Sequence, residues 1–421
     1  MTPIRFVVWL ILIACLPAGA AFRAAAAKAD ITPQTPQWLM GYNARKSTGV
    51  HDHIYHRVVA FEADGHPFYL VASDLCLFSP GVYDEVARDL ERETGITREQ
   101  FWWSVTHSHA APEVGPPGVY KTLLGRSDHE YDREYAAFVR DSLITAVKEA
   151  RAKLEPARIA FGQGISMANI NRRAKDVDGQ VSLGLNPDGP ADRQIGLIRL
   201  ERPDGALIAL VANYAMHGTV MSGQNLAVSG DGPGTVTAYL EQKLGAPVLF
   251  VNGAAGDLAP IYSVYPDAKS GHLSQFNVLL GDRILEAARA IGTATADVSL
   301  WSAEQSISTP QRAGLEWPAE LSQYQARVPV RFLRINDTLI WAAPVELFCE
   351  IAMAVRNQSP FAHTFYFGYT NGWFGYLPTA QGFAEGGYEP KTSVFTAQAE
   401  ADLTRGVVTA IQGMGRPASR Q

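Results

Sequence analysis

The sequence predicts an α/β fold, built as a single large domain with a mixed β-sheet flanked by helices. Apolar runs typical of strands alternate along the chain with amphipathic stretches typical of helices. No Pro- or Ser-rich linker divides the chain. Its 421 residues, 47% of them hydrophobic and 19% charged, have the composition of a globular protein and ample length for one large core.

In the first half of the chain, amphipathic periodicity predicts helices at residues 82–94 and 131–154, which end at Gly95 and before Pro156. A turn is predicted at residues 63–65. Strands are predicted at residues 55–62, 68–73, 101–106, 158–162, 195–200 and 206–215. The last of these strands is continuously apolar, which indicates burial on both faces.

In the second half, Asn336 and Asp337 form a turn signal between two apolar runs and predict a hairpin. A Gly-rich turn at residues 253–257 lacks the Gly-Lys-Ser/Thr of a P-loop. Strands are predicted at residues 248–252, 328–335, 339–343 and 364–369, and helices at residues 234–244, 272–290, 346–356 and 394–411.

The first residues have the pattern of an export signal. Arg5 precedes an apolar stretch at residues 6–17, and small residues at 18–20 mark a cleavage site that leaves a domain at residues 21–421. The sequence at residues 12–15 also resembles a lipoprotein signal, which would leave Cys15 acylated. We therefore expect export to the periplasm or the medium, with a lipoprotein as the alternative.

Composition excludes several other classes. The net charge of −6 and the lack of basic runs argue against nucleic-acid binding. Cys76 and Cys349 lie in apolar surroundings and are expected to be free buried thiols. No Cys-x-x-Cys is present, which excludes a zinc ribbon.

Residues capable of chemistry collect at predicted strand ends. His107 and His109 follow the strand at 101–106, and because residues two apart share a face of a strand, they project side by side. His217 follows the strand at 206–215, and Glu346 follows the strand at 339–343. Open α/β sheets bind ligands at the carboxyl ends of their strands.

Two histidines and a carboxylate, from His107, His217 and Glu346, form a donor set that suits a catalytic zinc ion. Structural explanations stay open for each strand-end residue. His217 is also compatible with a core histidine, and Glu346 with an acid at a helix N-terminus. Asp74, at the end of another predicted strand, is compatible with a turn cap.

Ordered motifs over nearly the whole mature chain resemble those of the neutral (non-lysosomal) ceramidases, specifically their N-terminal catalytic domain. These motifs are Ala-Asp-Ile-Thr at 29–32, Met-Gly-Tyr at 40–42, Thr-His-Ser-His at 106–109, residues 213–221, Ser-Gly-Asp at 229–231, Gly-Asp-Leu-Ala-Pro at 256–260, Pro-Val-Glu at 344–346 and residues 370–376.

The resemblance implies one zinc ion per chain, held by His107, His217, Glu346 and Tyr376. It also implies catalytic roles for His109, Arg172 and Tyr388, and substrate-facing positions for Gly41 and Ala259. A zinc ion lowers the pKa of a bound water toward ~7 and polarises a carbonyl. Arg172 or Tyr388 would then stabilise an oxyanion, and His109 would pass a proton to the leaving amine.

The chain departs from the family pattern in two respects. Ala259 stands where the family has a serine, so a serine acyl-enzyme at this position is excluded. We also expect no C-terminal immunoglobulin-like domain, because the chain ends at Gln421 soon after the last predicted helix.

Three hypotheses follow. The first is a zinc-dependent amidohydrolase that acts on an N-acyl lipid of the ceramide type, with association with a membrane surface and no protein or nucleic-acid partner. The second is an ester or phosphoester hydrolase with a two-metal centre built from Asp74, Asp231 or Asp257. The third is a catalytically inactive binding relative, suggested by Ala259.

Overall fold

The computed structural model describes residues 22–125, 129–262 and 272–414. The predicted export signal, including Cys15, lies outside these residues. In chain order the strands are β1 (Arg23–Asp30), β2 (Trp38–Leu39), β3 (Arg45–Lys46), β4 (Gly49–Val50), β5 (Tyr55–Ala63), β6 (His66–Ser73), β7 (Phe101–Val105), β8 (Glu155–Pro156), β9 (Arg158–Ile165), β10 (Asn169–Lys175), β11 (Val181–Asn186), β12 (Gln194–Glu201), β13 (Leu207–Tyr214), β14 (Ala227–Val228), β15 (Val248–Asn252), β16 (Leu258–Pro260), β17 (Leu300–Ser308), β18 (Arg327–Ile335), β19 (Thr338–Ala342), β20 (Glu346–Leu347), β21 (His363–Phe367) and β22 (Tyr376–Leu377).

The α-helices are α1 (Pro80–Thr94), α2 (Val119–Leu124), α3 (Arg133–Ala152), α4 (Asp231–Leu244), α5 (Arg283–Arg289), α6 (Cys349–Asn357), α7 (Ala380–Glu385), α8 (Tyr388–Lys391) and α9 (Gln398–Gly413). Short 3₁₀ turns at Arg98–Gln100, His272–Ser274 and Ala319–Tyr324 and a π-helical turn at Asn277–Asp282 complete the helical elements. None of the helices in the described ranges combines the length and the apolarity needed to cross a membrane.

The prediction of a mixed α/β fold is confirmed, although the strands divide among several sheets rather than one. The largest sheet has the order β7-β6-β5-β1-β8, in which β6 and β7 are parallel and the other pairs are antiparallel. Two four-stranded sheets have the orders β15-β13-β12-β9 and β17-β18-β19-β21, and each contains one parallel pair.

The sheets lie between apolar layers on both faces. In β7, Trp102 packs into one core with Phe68, while Trp103 points to the opposite face and packs with Val71 and Phe78. Strand β13 is continuously buried from Ile208 onward, as its apolar sequence predicts. The residues that follow β7 and β13 are therefore held in place by strands that are buried on both faces.

Several sequence predictions need correction. The Ala-rich segment that forms β1 carries no strand prediction, yet it lies between β5 and β8. The predicted helix at 346–356 begins only at Cys349, because Glu346 pairs with Tyr376 in a short parallel ladder. The interpretation of Glu346 as a helix N-terminal acid is therefore wrong.

Two other predicted helices differ from the structure. The segment predicted at 272–290 consists of a 3₁₀ turn, a π turn and α5 rather than one α-helix. The last helix begins at Gln398 rather than at residue 394, because Phe395 is bridged to Gln311 and the carbonyl of Val394 accepts the N–H of Arg312.

Asp74 follows β6 and belongs to a buried ion-pair network with Arg57, and it does not face a ligand site. Arg57 donates from Nη1 to Asp74 Oδ2 at 2.6 Å and from Nε to Glu241 Oε1 at 2.8 Å. Asp74 also accepts the backbone N–H of Tyr55 at 3.0 Å. Arg57 and Asp74 are both almost fully buried, so each charge depends on its partner.

Replacement of Arg57 by leucine should lower the free energy of unfolding by about 3–5 kcal/mol, because Asp74 is left as an unpaired buried charge. Urea unfolding followed by tryptophan fluorescence measures this change. Arg283→Leu is the matched control, since Arg283 pairs with Glu286 at the surface and its loss should leave the midpoint unchanged. An Arg57→Leu protein as stable as the wild type would contradict the assignment.

Candidate metal centre

The residues proposed as ligands leave the ends of separate strands and converge. His107 lies directly after β7, with a left-handed backbone at a φ of 65°. His217 follows β13, and Glu346 and Tyr376 face each other in the β20–β22 ladder. A non-glycine residue at positive φ is uncommon, and such strain is concentrated at functional sites.

Three donor atoms meet at one point. Oε2 of Glu346 lies 3.3 Å from Nε2 of His107 and 3.1 Å from Nε2 of His217. Ligand atoms bound tetrahedrally at about 2.0–2.1 Å from a zinc ion are about 3.3 Å apart. The three residues are 2% exposed or less, and their donor atoms could hold one metal ion.

The tautomers of both histidines suit ligation through Nε2. Nδ1 of His107 lies 2.9 Å from the carbonyl oxygen of Cys76, and Nδ1 of His217 lies 2.7 Å from that of Ala255. A carbonyl only accepts, so each Nδ1 carries a proton, and Nε2 is the nitrogen that would bind a metal once it is unprotonated. Metal-binding histidines are commonly fixed in this way.

The charge of Glu346 is stabilised by its surroundings. Burial alone would raise the pKa of Glu346, but the charge of His107 and a hydrogen bond from His107 hold it well below its usual value. Trp373 donates from Nε1 to Oε1 at 2.8 Å, and Tyr369 donates its hydroxyl to Oε2 at 3.2 Å. The carboxylate is therefore ionised and fixed at both oxygens.

The histidines differ in charge. Burial and the Arg172 guanidinium lower the pKa of His217 to about 3, so its imidazole is neutral and able to bind a metal. Burial also opposes protonation of His107, but Cys76 and Glu346 outweigh it and raise the pKa of His107 to about 10. His107 therefore carries a positive charge beside Glu346, and a metal cation bound at its Nε2 would take the place of that proton.

Three glycines allow the segments of the site to approach closely. A β-carbon on Gly218 would lie 2.5 Å from the carbonyl oxygen of His107, and one on Gly256 would lie 2.5 Å from that of Glu346. A β-carbon on Gly41 would lie 2.4 Å from Nδ1 of His109. Any larger residue at these positions would push the site apart.

Arg172, on β10, borders the same point. It donates from Nη2 to the Tyr376 hydroxyl at 3.1 Å, and its Nη1 lies 2.9 Å from Nε2 of His217. Binding of a metal at Nε2 of His217 requires Nη1 to move off that nitrogen. The donor set otherwise fits a metal ion, because it combines neutral imidazole nitrogen, carboxylate and fixed tautomers.

His109 stands beside the donor set rather than in it. Its Nε2 lies 3.1 Å from Nε2 of His107, and its Nδ1 has no hydrogen-bond partner among the described residues. Burial, together with His107 and His217, holds the pKa of His109 well below its usual value. Cys76, His107 and His109 form a second group with the spacing of metal ligands, and this group shares His107 with the first.

A cavity of about 660 Å³ opens onto these residues. Its wall includes most of the residues predicted from sequence, namely Gly41, His107, His109, Arg172, Glu346, Tyr376 and Tyr388. His217 is fully buried beneath them. Ala259 is buried in β16 opposite Ile170 and is not among the residues that line the cavity.

The acidic residues considered for a second metal are bound to protein donors. Asp231 accepts the backbone N–H groups of Val220 and Met221. Asp257 accepts the N–H of Cys349 at 2.9 Å and the side-chain amide of Asn171 at 3.1 Å. Neither these two residues nor Asp74 belongs to a ligand group in the described part of the chain, so the geometry gives the two-metal hypothesis no support.

The prediction of two free buried cysteines is confirmed. Sequence reasoning missed the residues that hold the site residues in place, of which Tyr369, Trp373 and Glu389 are the main ones. Each is distant in sequence from its partner, so no local spacing indicates the contact. Their position in the sequence was the one available indication, because Trp373 lies three residues before Tyr376 and Glu389 directly follows Tyr388.

Comparison with known proteins identifies relatives of this chain. Relatives include a neutral ceramidase of Pseudomonas aeruginosa, 26% identical over 58% of this chain and 38% of that protein. Another is neutral ceramidase A of Dictyostelium discoideum, 28% identical over 51% of this chain and 31% of that protein. The aligned part of the chain thus spans only about a third of the length of these relatives.

Among solved structures, the neutral ceramidase of Pseudomonas aeruginosa superposes with a TM-score of 0.77 at 19% identity, over 95% of this chain and 76% of that chain. A ceramidase complexed with C2 gives the same values. This likeness shows a shared fold. The family model described as neutral/alkaline non-lysosomal ceramidase, N-terminal, matches residues 22–260, and the chain therefore belongs to the neutral/alkaline non-lysosomal ceramidase family.

Proposed function

We propose that this protein is a zinc-dependent hydrolase of a linear amide bond in an N-acyl lipid of the ceramide type. The proposal rests on one observation: Nε2 of His107 and Nε2 of His217 both lie within 3.3 Å of the same oxygen, Oε2 of Glu346. Tyr376 is proposed as the fourth ligand, because it pairs with Glu346 in the β20–β22 ladder. The names of the relatives support the substrate class.

A zinc ion at this point would lower the pKa of a bound water and polarise the amide carbonyl. The residues of the chain have separate tasks around it. Arg172 and Tyr388 reach the cavity wall beside Tyr376 and offer N–H and O–H donors to the oxygen that becomes negative in the transition state. Burial raises the pKa of Tyr388 well above its usual value, so its hydroxyl keeps the proton it donates.

His109 is proposed to hold the proton for the leaving amine. Its low pKa keeps it neutral before reaction, and Nε2 faces His107 in the cavity. Tyr42 packs edge-on against its ring with centroids 4.9 Å apart and fixes the ring plane. A neutral imidazole held in this way takes up a proton at one stage and returns it at the next.

The cavity suits a substrate with an apolar chain next to a polar amide. Apolar side chains line one part of its wall, with Leu77, Tyr120, Leu124 and Trp373 among them. The wall also carries polar side chains, among them the candidate ligands, Arg172 and His109. Small-molecule sites commonly combine an apolar wall with few convergent polar groups. Export of the protein and its association with a membrane surface remain part of the proposal.

The proposed function predicts a bound metal that is required for activity. Purified protein should contain one zinc ion per chain and hydrolyse a short-chain ceramide, and a chelator should abolish the activity. His217→Ala should lose the zinc and lower kcat/KM by about 10³-fold or more, since a Lewis acid contributes several kcal/mol to such reactions. Metal analysis and product release measure both effects.

His363→Ala is the matched control for this variant, because His363 is half-buried and contacts Gln163 away from the cavity. It should keep both zinc and activity. A His217→Ala protein with undiminished hydrolysis would contradict the proposal. Two metals per chain would instead favour the ester or phosphoester hydrolase.

The second prediction concerns Gly41. Gly41→Ala should lower kcat by about 10–100-fold with zinc retained, because the new β-carbon displaces His109, a general acid–base group worth about 10²–10⁴-fold in rate, and leaves the ligands in place. Gly65→Ala is the control: Gly65 has a similar φ of 76° but no atom within 4 Å of the added β-carbon. The control shares the backbone strain and should keep the wild-type kcat. Equal kcat in both variants would count against the role of His109.

A further inference from the structure

We infer that Glu389 is a positioning residue that sets the orientation of Arg172 toward the reacting carbonyl. This inference rests on the proposed function. Glu389 is fully buried on α8 and does not line the cavity among the described residues. It acts only through the groups that its carboxylate holds, and those groups include the guanidinium closest to the candidate ligands.

Each carboxylate oxygen of Glu389 accepts a hydrogen bond from a different arginine of β10. Oε1 of Glu389 accepts Nε of Arg172 at 3.0 Å, and Oε2 accepts Nη1 of Arg173 at 2.6 Å. Glu389 binds Arg172 at Nε, so both terminal nitrogens of that guanidinium are left to other partners. They reach His217 and the Tyr376 hydroxyl. The planar guanidinium is thus held at Nε, and this contact sets the direction of its two terminal nitrogens.

Glu389 also balances the positive charge of Arg172. Arg172 is almost fully buried and borders a site that is proposed to hold a divalent cation. Without a nearby anion the two positive charges would repel each other, and an unpaired buried guanidinium is costly. Of the groups that hydrogen-bond to Arg172, Glu389 is the one carboxylate in the described residues.

The same carboxylate also fixes Tyr388, the residue before it. Arg173, held by Oε2, donates from Nη2 to the carbonyl oxygen of Gly386 at 2.9 Å and to that of Gly382 at 3.2 Å. These bonds tie α7 and the start of α8 to β10. The two proposed donors to the substrate oxygen, Arg172 and Tyr388, are therefore set relative to each other through Glu389.

A double-mutant cycle tests this inference. Glu389→Gln should lower kcat on a short-chain ceramide by about 10–100-fold, the usual range for residues that orient catalytic groups. Zinc content should be unchanged and KM should change less than twofold. The double variant Arg172→Ala with Glu389→Gln should lose less activity than the two single losses multiplied together, because Glu389 acts in part through Arg172.

Glu385→Gln is the matched control, since Glu385 contacts Arg173 at 3.5 Å and Lys175 at 2.8 Å but not Arg172. It should keep the wild-type kcat. A wild-type kcat in Glu389→Gln, or additive losses in the double variant, would overturn the inference. If Glu389→Gln does not fold, Glu389→Asp decides: a kcat lowered about fivefold or more supports the inference, and a wild-type kcat overturns it.

A crystal structure of Glu389→Gln, or of Glu389→Asp, gives a readout that needs no substrate. The Arg172 guanidinium should leave the Tyr376 hydroxyl, and an unchanged position would overturn the inference. Wild-type protein that hydrolyses no amide would contradict the proposed function, whereas this structure would still decide the role of Glu389.

Discussion

A buried carboxylate is the constraint on which the site depends. Glu346 is ionised at the centre of the molecule, and two oxygens in such a position require donors on every side. His107, a tryptophan and a tyrosine supply them. The arrangement concentrates negative charge at a point where imidazole nitrogens converge, which is the electrostatic condition for holding a cation.

Close packing of the backbone allows the segments that carry His107, His217 and Glu346 to meet. The segments that carry His107, His217 and Glu346 approach within contact distance at Gly218 and Gly256, where a β-carbon would overlap a carbonyl oxygen. The strands behind them are covered on both faces by large apolar side chains such as Trp102 and Trp103. Rigid strands and close backbone contacts thus fix donors that flexible loops alone would leave scattered.

The sequence predicts the long elements and the metal donors, because both depend on local pattern. Apolar periodicity places α1, α3 and β13 within a few residues of their bounds, and strand ends identify His107, His217 and Glu346. Long-range pairing is not readable in this way. The β20–β22 ladder converts a predicted helix start into an extended segment at Glu346, and the contact of Glu389 with Arg172 joins residues 217 positions apart.

We propose that one metal ion sits between the two histidines and Glu346. Anomalous diffraction from a crystal of the purified protein at the zinc absorption edge tests this most directly. We expect a single peak about 2.0–2.2 Å from Nε2 of His107, Nε2 of His217 and a carboxylate oxygen of Glu346. A peak at Cys76 or Asp257 instead, or no peak in active protein, would contradict the account.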